Sequence, residues 1–201
     1  VLRWYRDTAL DLLRLRSLSE AAVHLPRARR IFPSDPTVLF LSGVLHERFS
    51  SASLQAAAES VLASKRGATS VGPAKAELER AERFFRGALA AEPGHLEARV
   101  RHGRVLGELG RHEQSAGVLR GAIQAGVTGE FLYMAELCLG RQEEAMGNGA
   151  TARAHFERAA ALYPRAQSPL LALSQLSRRA GDRPAAQREL RILAELPEDE
   201  R

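Results

Sequence analysis

The sequence predicts an all-α chain built as a stack of antiparallel helical hairpins. Three observations carry that expectation. Ala, Leu, Arg and Glu, all strong helix formers, dominate the 201 residues, while aromatics are only 5% and strand-favouring residues are sparse. A spaced string of small and bulky side chains recurs along the chain. Prolines and glycines then punctuate it at matching places.

The string is Ala81, Phe85, Ala88, Pro93, and it repeats as Ala21, Leu25, Ala28, Pro33 and as Ala152, Phe156, Ala159, Pro164. A weaker copy is Ser115, Leu119, Ala122, Val127, and a last one is Ala186, Leu190, Leu193, with Pro197 one residue early. Twelve residues before the first member stand Ala9, Gly103, Gly140 and Ser174. For Ala81 the same count lands on Thr69, and Gly43 takes that place only if about 26 residues are inserted. Two helices pack closely only where one side chain is small, so the small residue marks the crossing and the bulky one fills the space beside it. Proline then ends the second helix.

Taken in order, the first unit (2–35) sets Ala9 against Leu25 and carries Pro26 inside its second helix, where a missing N–H should kink it. The second unit (36–95) opens with a helical pattern of Val38, Leu41, Val44, Leu45 and Phe49, continued by Leu54, Ala58, Val61 and Leu62. An insertion at about 47–73 interrupts it: Ser50 to Ser53 is either a break with an N-cap or a polar patch, and 66–73 reads as a loop. Gly110 and Gly126 fall where the helices of the third unit (96–129) should stop, and Thr128 can cap the next helix. In the fourth unit (133–166) Gly147, Asn148 and Gly149 make the turn. In the fifth (167–200) Ser168 reads as an N-cap before Pro169. Gly181 and Asp182 end one helix and cap another that has Pro184 in its first turn. No capping helix follows, so Leu190, Ile192, Leu193 and Leu196 await more chain or a partner, a second copy included.

This pattern resembles the tetratricopeptide repeat (TPR), a unit of about 34 residues with small residues at its eighth and twentieth positions. The family also has a bulky residue at the twenty-fourth, Ala at the twenty-seventh and Pro at the thirty-second. The resemblance covers nearly all of 1–201 and implies a right-handed superhelical solenoid of about five units, read as a single domain. Three departures stand out: no Trp early in the first helix of each unit, the interrupted second unit, and Pro26.

Chemistry is absent from this reading. The six histidines show no short ligand spacing, so no metal is expected, and no Gly-rich phosphate loop or cofactor motif is present. Cys138 is alone beside Leu137 and Leu139, which reads as a small buried hydrophobe and excludes a disulfide framework. No apolar run is long enough to span a membrane. All but two of the 29 basic residues are Arg, which fits both recognition of acidic groups and a GC-rich bacterial genome. The chain starts at Val1 without Met and reads as a fragment; the compartment is taken as cytoplasmic, with the periplasm left open.

The resemblance implies that the first helix of each unit (helix A) lines a concave groove for a protein or peptide. Of the 25 positions so implied, eight are Arg, more than twice the share that 27 arginines in 201 residues would give. The groove candidates are Arg6, Phe40, Val44, Arg48, Arg104, Leu137, Arg141, Gln175 and Arg178, a mix suited to an extended segment with acidic and apolar side chains. A solvated charged surface fits the same enrichment. The family's chaperone-tail clamp would need Lys and Asn where Arg6, Leu10 and Leu41 stand, and base-reading relatives need small polar residues where Arg6, Phe40, Val100, Leu137 and Leu171 stand. Nucleic acid is therefore not the expected partner. The reading is a non-catalytic scaffold. Its alternatives are docking through the terminal helices, or service as an accessory domain of a larger enzyme or secretion and assembly system.

Overall fold

A computed structural model describes residues 1–55 and 73–195. Within them the ordered elements are helices and no strand occurs. They are α1 (Leu2–Arg14), α2 (Leu18–Ile31), α3 (Pro36–Phe49), α4 (Ala74–Ala91), α5 (Leu96–Glu108), α6 (His112–Gln124), α7 (Gly129–Ala145), α8 (Gly149–Leu162), α9 (Gln167–Arg179) and α10 (Arg183–Ala194). They fall into two compact units, Val1–Leu109 and Gly110–Arg201.

In the first unit α1 packs on α2, α3 on α4, and α5 on α4. Ala9, Leu25, Leu41, Leu45, Phe85 and Ala98 belong to one buried cluster. Close approach at the α3–α4 crossing is set by Gly43: a Cβ there would lie 2.6 Å from Cδ1 and Cε1 of Phe85. α2 runs from Leu18 to Ile31 with Pro26 inside it, so the proline neither delays nor breaks the helix. α3 ends at Phe49, where Ser50 Oγ donates to the Glu47 carbonyl at 2.7 Å. Residues 52–55 then turn helical again, so the serine run is a break. The expectations for Ala58, Val61, Leu62 and the loop over 66–72 lie outside the described residues.

In the second unit α6 packs on α7, α7 on α8, and α9 on both α8 and α10. Leu137, Ala152, Phe156, Ala159 and Leu173 form one buried cluster there, and Gly140 again clears space for an aromatic ring, with 2.5 Å from a notional Cβ to Phe156 Cε1. Cys138 is buried, as expected of a small hydrophobe. Leu190, the bulky member of the last string, is 42% exposed beside Ile192 at 47%.

The helix ends follow most of the predicted signals. Gly110, Gly126, Gly147 and Gly181 all take positive φ directly after a helix, the left-handed closure that glycine adopts without strain. Asp182 caps α10 by accepting from the Ala185 N–H at 2.9 Å. Two caps differ. Thr128 precedes α7 but makes no side-chain cap. α9 begins at Gln167 with Ala166 at the N-cap position, so Ser168 stands inside the first turn, too late to cap it.

Candidate functional site

The helix A members of the first unit are α1, α3 and α5, and polar side chains tie them side by side. Arg6 on α1 reaches Asp35 with both Nε (3.1 Å) and Nη2, while Asp35 caps α3 by accepting from the Val38 N–H at 2.9 Å. Burial opposes the Asp35 charge, but the bonds from Arg6 and Val38 outweigh it and hold the carboxyl below its usual range. Further along, Arg48 on α3 donates to the Leu13 carbonyl at the end of α1.

Between α3 and α5 the anchor is Glu47, buried at 6% exposure. Arg101 donates to it at 2.8 Å and to Glu97 at 2.8 Å, and Arg104 lies 3.6 Å from its second oxygen. Burial pushes the Glu47 carboxyl up, against the pull of Arg101 and Arg104. Arg104 is also paired with Glu108 at 2.8 Å. Phe40 and Val44, at 7% and 6% exposure, belong to the core beneath this layer, with the Phe40 ring 4.6 Å from that of His95.

The helix A members of the second unit are α7 and α9. Arg179 crosses from α9 to Glu144 on α7 at 2.7 Å. Arg141, Gln175 and Arg178 are exposed, and an open hollow of about 300 Å³ is lined by Gln175, Arg178 and Arg179. Leu137 is buried at 8% exposure among Phe156 and Leu173.

The arginines at helix A positions therefore sort into two classes. Arg3, Arg6, Arg104 and Arg179 each have a carboxylate of this chain. Arg14, Arg48, Arg141 and Arg178 have none within 4.0 Å among the described residues. Arg48 is half-buried; burial and the neighbouring Arg101 and Arg16 disfavour its charge, and Glu47 only partly offsets them. Sequence reasoning passed over Arg101 and Arg16, which stand outside the implied groove positions. Glu97, four residues before Arg101 on one helix face, was the available signal for the first.

Several histidines serve as internal partners. His46 contacts Glu77 at 2.6 Å and His155 contacts Glu136 at 2.6 Å, while His95 accepts from the Ala98 N–H at 3.3 Å as a helix cap. No group of three or more His, Cys, Asp or Glu that could hold a metal occurs among the described residues. No described helix is long and apolar enough to cross a membrane.

Repeated hairpins with a small residue against a ring at the crossing define the architecture, and solved structures share it. YrrB, described as a TPR protein with an unusual peptide-binding site, superposes with TM-score 0.65 at 17% identity over 94% of this chain and 82% of that one. The fold is tetratricopeptide-like. Two further TPR-like neighbours are PilW, a widely conserved type IV pilus biogenesis factor, and PilF of Pseudomonas aeruginosa. PilW gives TM-score 0.73 at 18% identity, covering 100% of this chain and 81% of its own. PilF gives TM-score 0.72 at 20% identity, covering 96% of this chain and 75% of its own. No protein-family model and no curated protein matches the sequence.

Proposed function

We propose that this chain is a non-catalytic interaction module that takes an extended, acidic protein segment along the helix A face of one of its two units. The observation that supports it is the set of arginines left without a carboxylate: Arg48 in the first unit, Arg141 and Arg178 in the second. An exposed guanidinium loses little water on meeting a carboxylate, and a bidentate pair fixes the geometry of the incoming segment. The buried Phe40, Val44 and Leu137 have little area to offer a ligand, so their role here is to hold the arginine-bearing helices in place. Apolar contact falls instead to half-covered groups such as Leu171, at 38% exposure.

The peptide-binding site in YrrB's description and the type IV pilus biogenesis in PilW's are consistent with such a module. Selection of phage-displayed twelve-residue peptides tests the reading. Wild-type protein should enrich Asp- and Glu-containing sequences, and the double variant Arg141→Glu, Arg178→Glu should lose them while keeping its helical circular dichroism. Enrichment of neutral or basic sequences would overturn it.

A second reading, docking through α10, draws on the exposure of Leu190 and Ile192. Arg183, Arg188 and Arg191 on the same helix oppose pairing of two copies. Light scattering across a concentration series decides it: a dimer that dissociates on dilution supports docking, and a strict monomer removes it.

A further inference from the structure

The outer face of α2 carries apolar residues that the fold does not bury. Val23 is 50% exposed and Ile31 53%. On the matching second helices of later hairpins, α4, α6 and α8 up to its last residue, every exposed position is charged, polar, Ala or Gly. β-branched residues are poorer helix formers than Ala, Arg or Gln, and an exposed one gains nothing from burial. Two of them on one exposed helix face call for cover from outside the chain.

Trp4, the one tryptophan of the chain, extends that face. It is 55% exposed, and its ring stands edge-on to that of His24 at 5.8 Å. His24, Arg27 and Ile31 follow one another along α2 at steps of three and four residues, and so do Val23, Arg27 and Arg30. The five therefore lie side by side, with Trp4 at their border. Arg27 and Arg30 are exposed and have no carboxylate within 4.0 Å among the described residues. Arg29, between them, is taken up by the fold: Nη1 donates to Ser42 Oγ at 2.8 Å, and the guanidinium lies over the Phe84 ring at 4.5 Å. Glu20 is the one acid on α2. Residues 1–32 hold seven arginines against three acidic residues, so this hairpin carries four of the chain's five net positive charges.

We infer that this face docks on an anionic lipid bilayer, with Trp4, Val23 and Ile31 entering the headgroup layer and Arg27 and Arg30 meeting lipid phosphates. Apolar side chains on a surface-bound helix reach the boundary of the acyl chains, while arginine stems lie along them and keep the guanidiniums at phosphate depth. Tryptophan favours the same boundary, having an apolar ring and one polar N–H. A protein groove would have to match the spacing of every one of these side chains. A fluid anionic leaflet offers phosphates and apolar contact at each position, and it attracts the excess positive charge of the hairpin. These residues are separate from those of the helix A reading, so the two stand or fall independently.

The single tryptophan reports the test directly. The full chain is titrated with vesicles of phosphatidylcholine, with or without phosphatidylglycerol, at low ionic strength, following Trp4 emission and co-sedimentation. Anionic vesicles should shift the emission to the blue saturably and carry the chain into the pellet, and neutral vesicles should do neither. Lipids brominated in the acyl chain should quench Trp4 in the unaltered protein. Arg27→Gln with Arg30→Gln should weaken binding by at least about tenfold. Val23→Ser with Ile31→Ser should weaken it comparably, with helical circular dichroism kept in both. Sedimentation without a blue shift, equal response to neutral vesicles, or wild-type binding in either double variant overturns the inference. A blue shift given by an amphipathic helical peptide of Glu, Leu and Ala, and not by anionic vesicles, overturns it in favour of a protein partner.

Discussion

The Phe85 ring packs against Gly43, so close that a Cβ on that glycine would sit 2.6 Å from two ring carbons. Phe156 and Gly140 repeat the relationship at 2.5 Å. The partners are 42 positions apart in one case and 16 in the other, so the α3–α4 hairpin carries the insertion between its two helices without losing its crossing.

Gly43→Ala and Gly140→Ala should therefore destabilise the protein by about 1–3 kcal/mol each, because a methyl group has nowhere to go. Gly117 and Gly121, on α6 with nothing within 4 Å of a notional Cβ, provide the contrast. There Ala should stabilise by about 0.5–1 kcal/mol through helix propensity alone. Urea denaturation of the four variants reads the opposite signs directly.

This crossing was legible in the sequence because it depends on short, repeated spacing between side chains of contrasting size. The ion pairs were not. Arg6 meets Asp35 29 positions away, and Arg101 meets Glu47 54 positions away, so the arginines with and without partners could be separated only by folding the chain. The same limit explains Phe40, Val44 and Leu137: their helix position was readable, but not that neighbouring helices cover them. Ser168 before Pro169 reads as a cap, and only the fold shows that the helix has already begun at Gln167.

Asp35 gives a pH-dependent prediction. Its carboxyl is held below the usual range in the folded chain, so the stability it contributes is complete above the unfolded pKa and is lost as pH falls through the folded value. Asp35→Ala should cost about 0.5–2 kcal/mol at neutral pH through loss of the α3 cap. It should also flatten the acid side of the stability profile, as measured by chemical denaturation at pH steps from neutral downwards.

His46 acts in a higher window. Burial lowers its pKa despite the nearby Glu77, so the unfolded chain takes up the proton first. Stability should fall as pH drops below about 6.5 and level off beneath the folded value. His46→Gln should remove that slope, which hydrogen-exchange protection of α3 amides at stepped pH would report.

Arg16→Gly should stabilise the fold by about 1 kcal/mol, since it relieves a left-handed non-glycine residue. Calorimetry of the variant against wild type checks the sign. A lower melting temperature would show that the Arg16 side chain supports the fold itself.

The most direct test of the acidic-segment account maps where such a segment sits. A peptide selected against the wild-type chain is titrated into isotopically labelled protein, and amide shifts are followed helix by helix. The account predicts that the largest changes fall on α7 and α9 around Arg141, Gln175 and Arg178, or on α1 and α3 around Arg48, and vanish on charge reversal of those arginines. Changes confined to α8 and α10, or unaltered by the reversals, would contradict it.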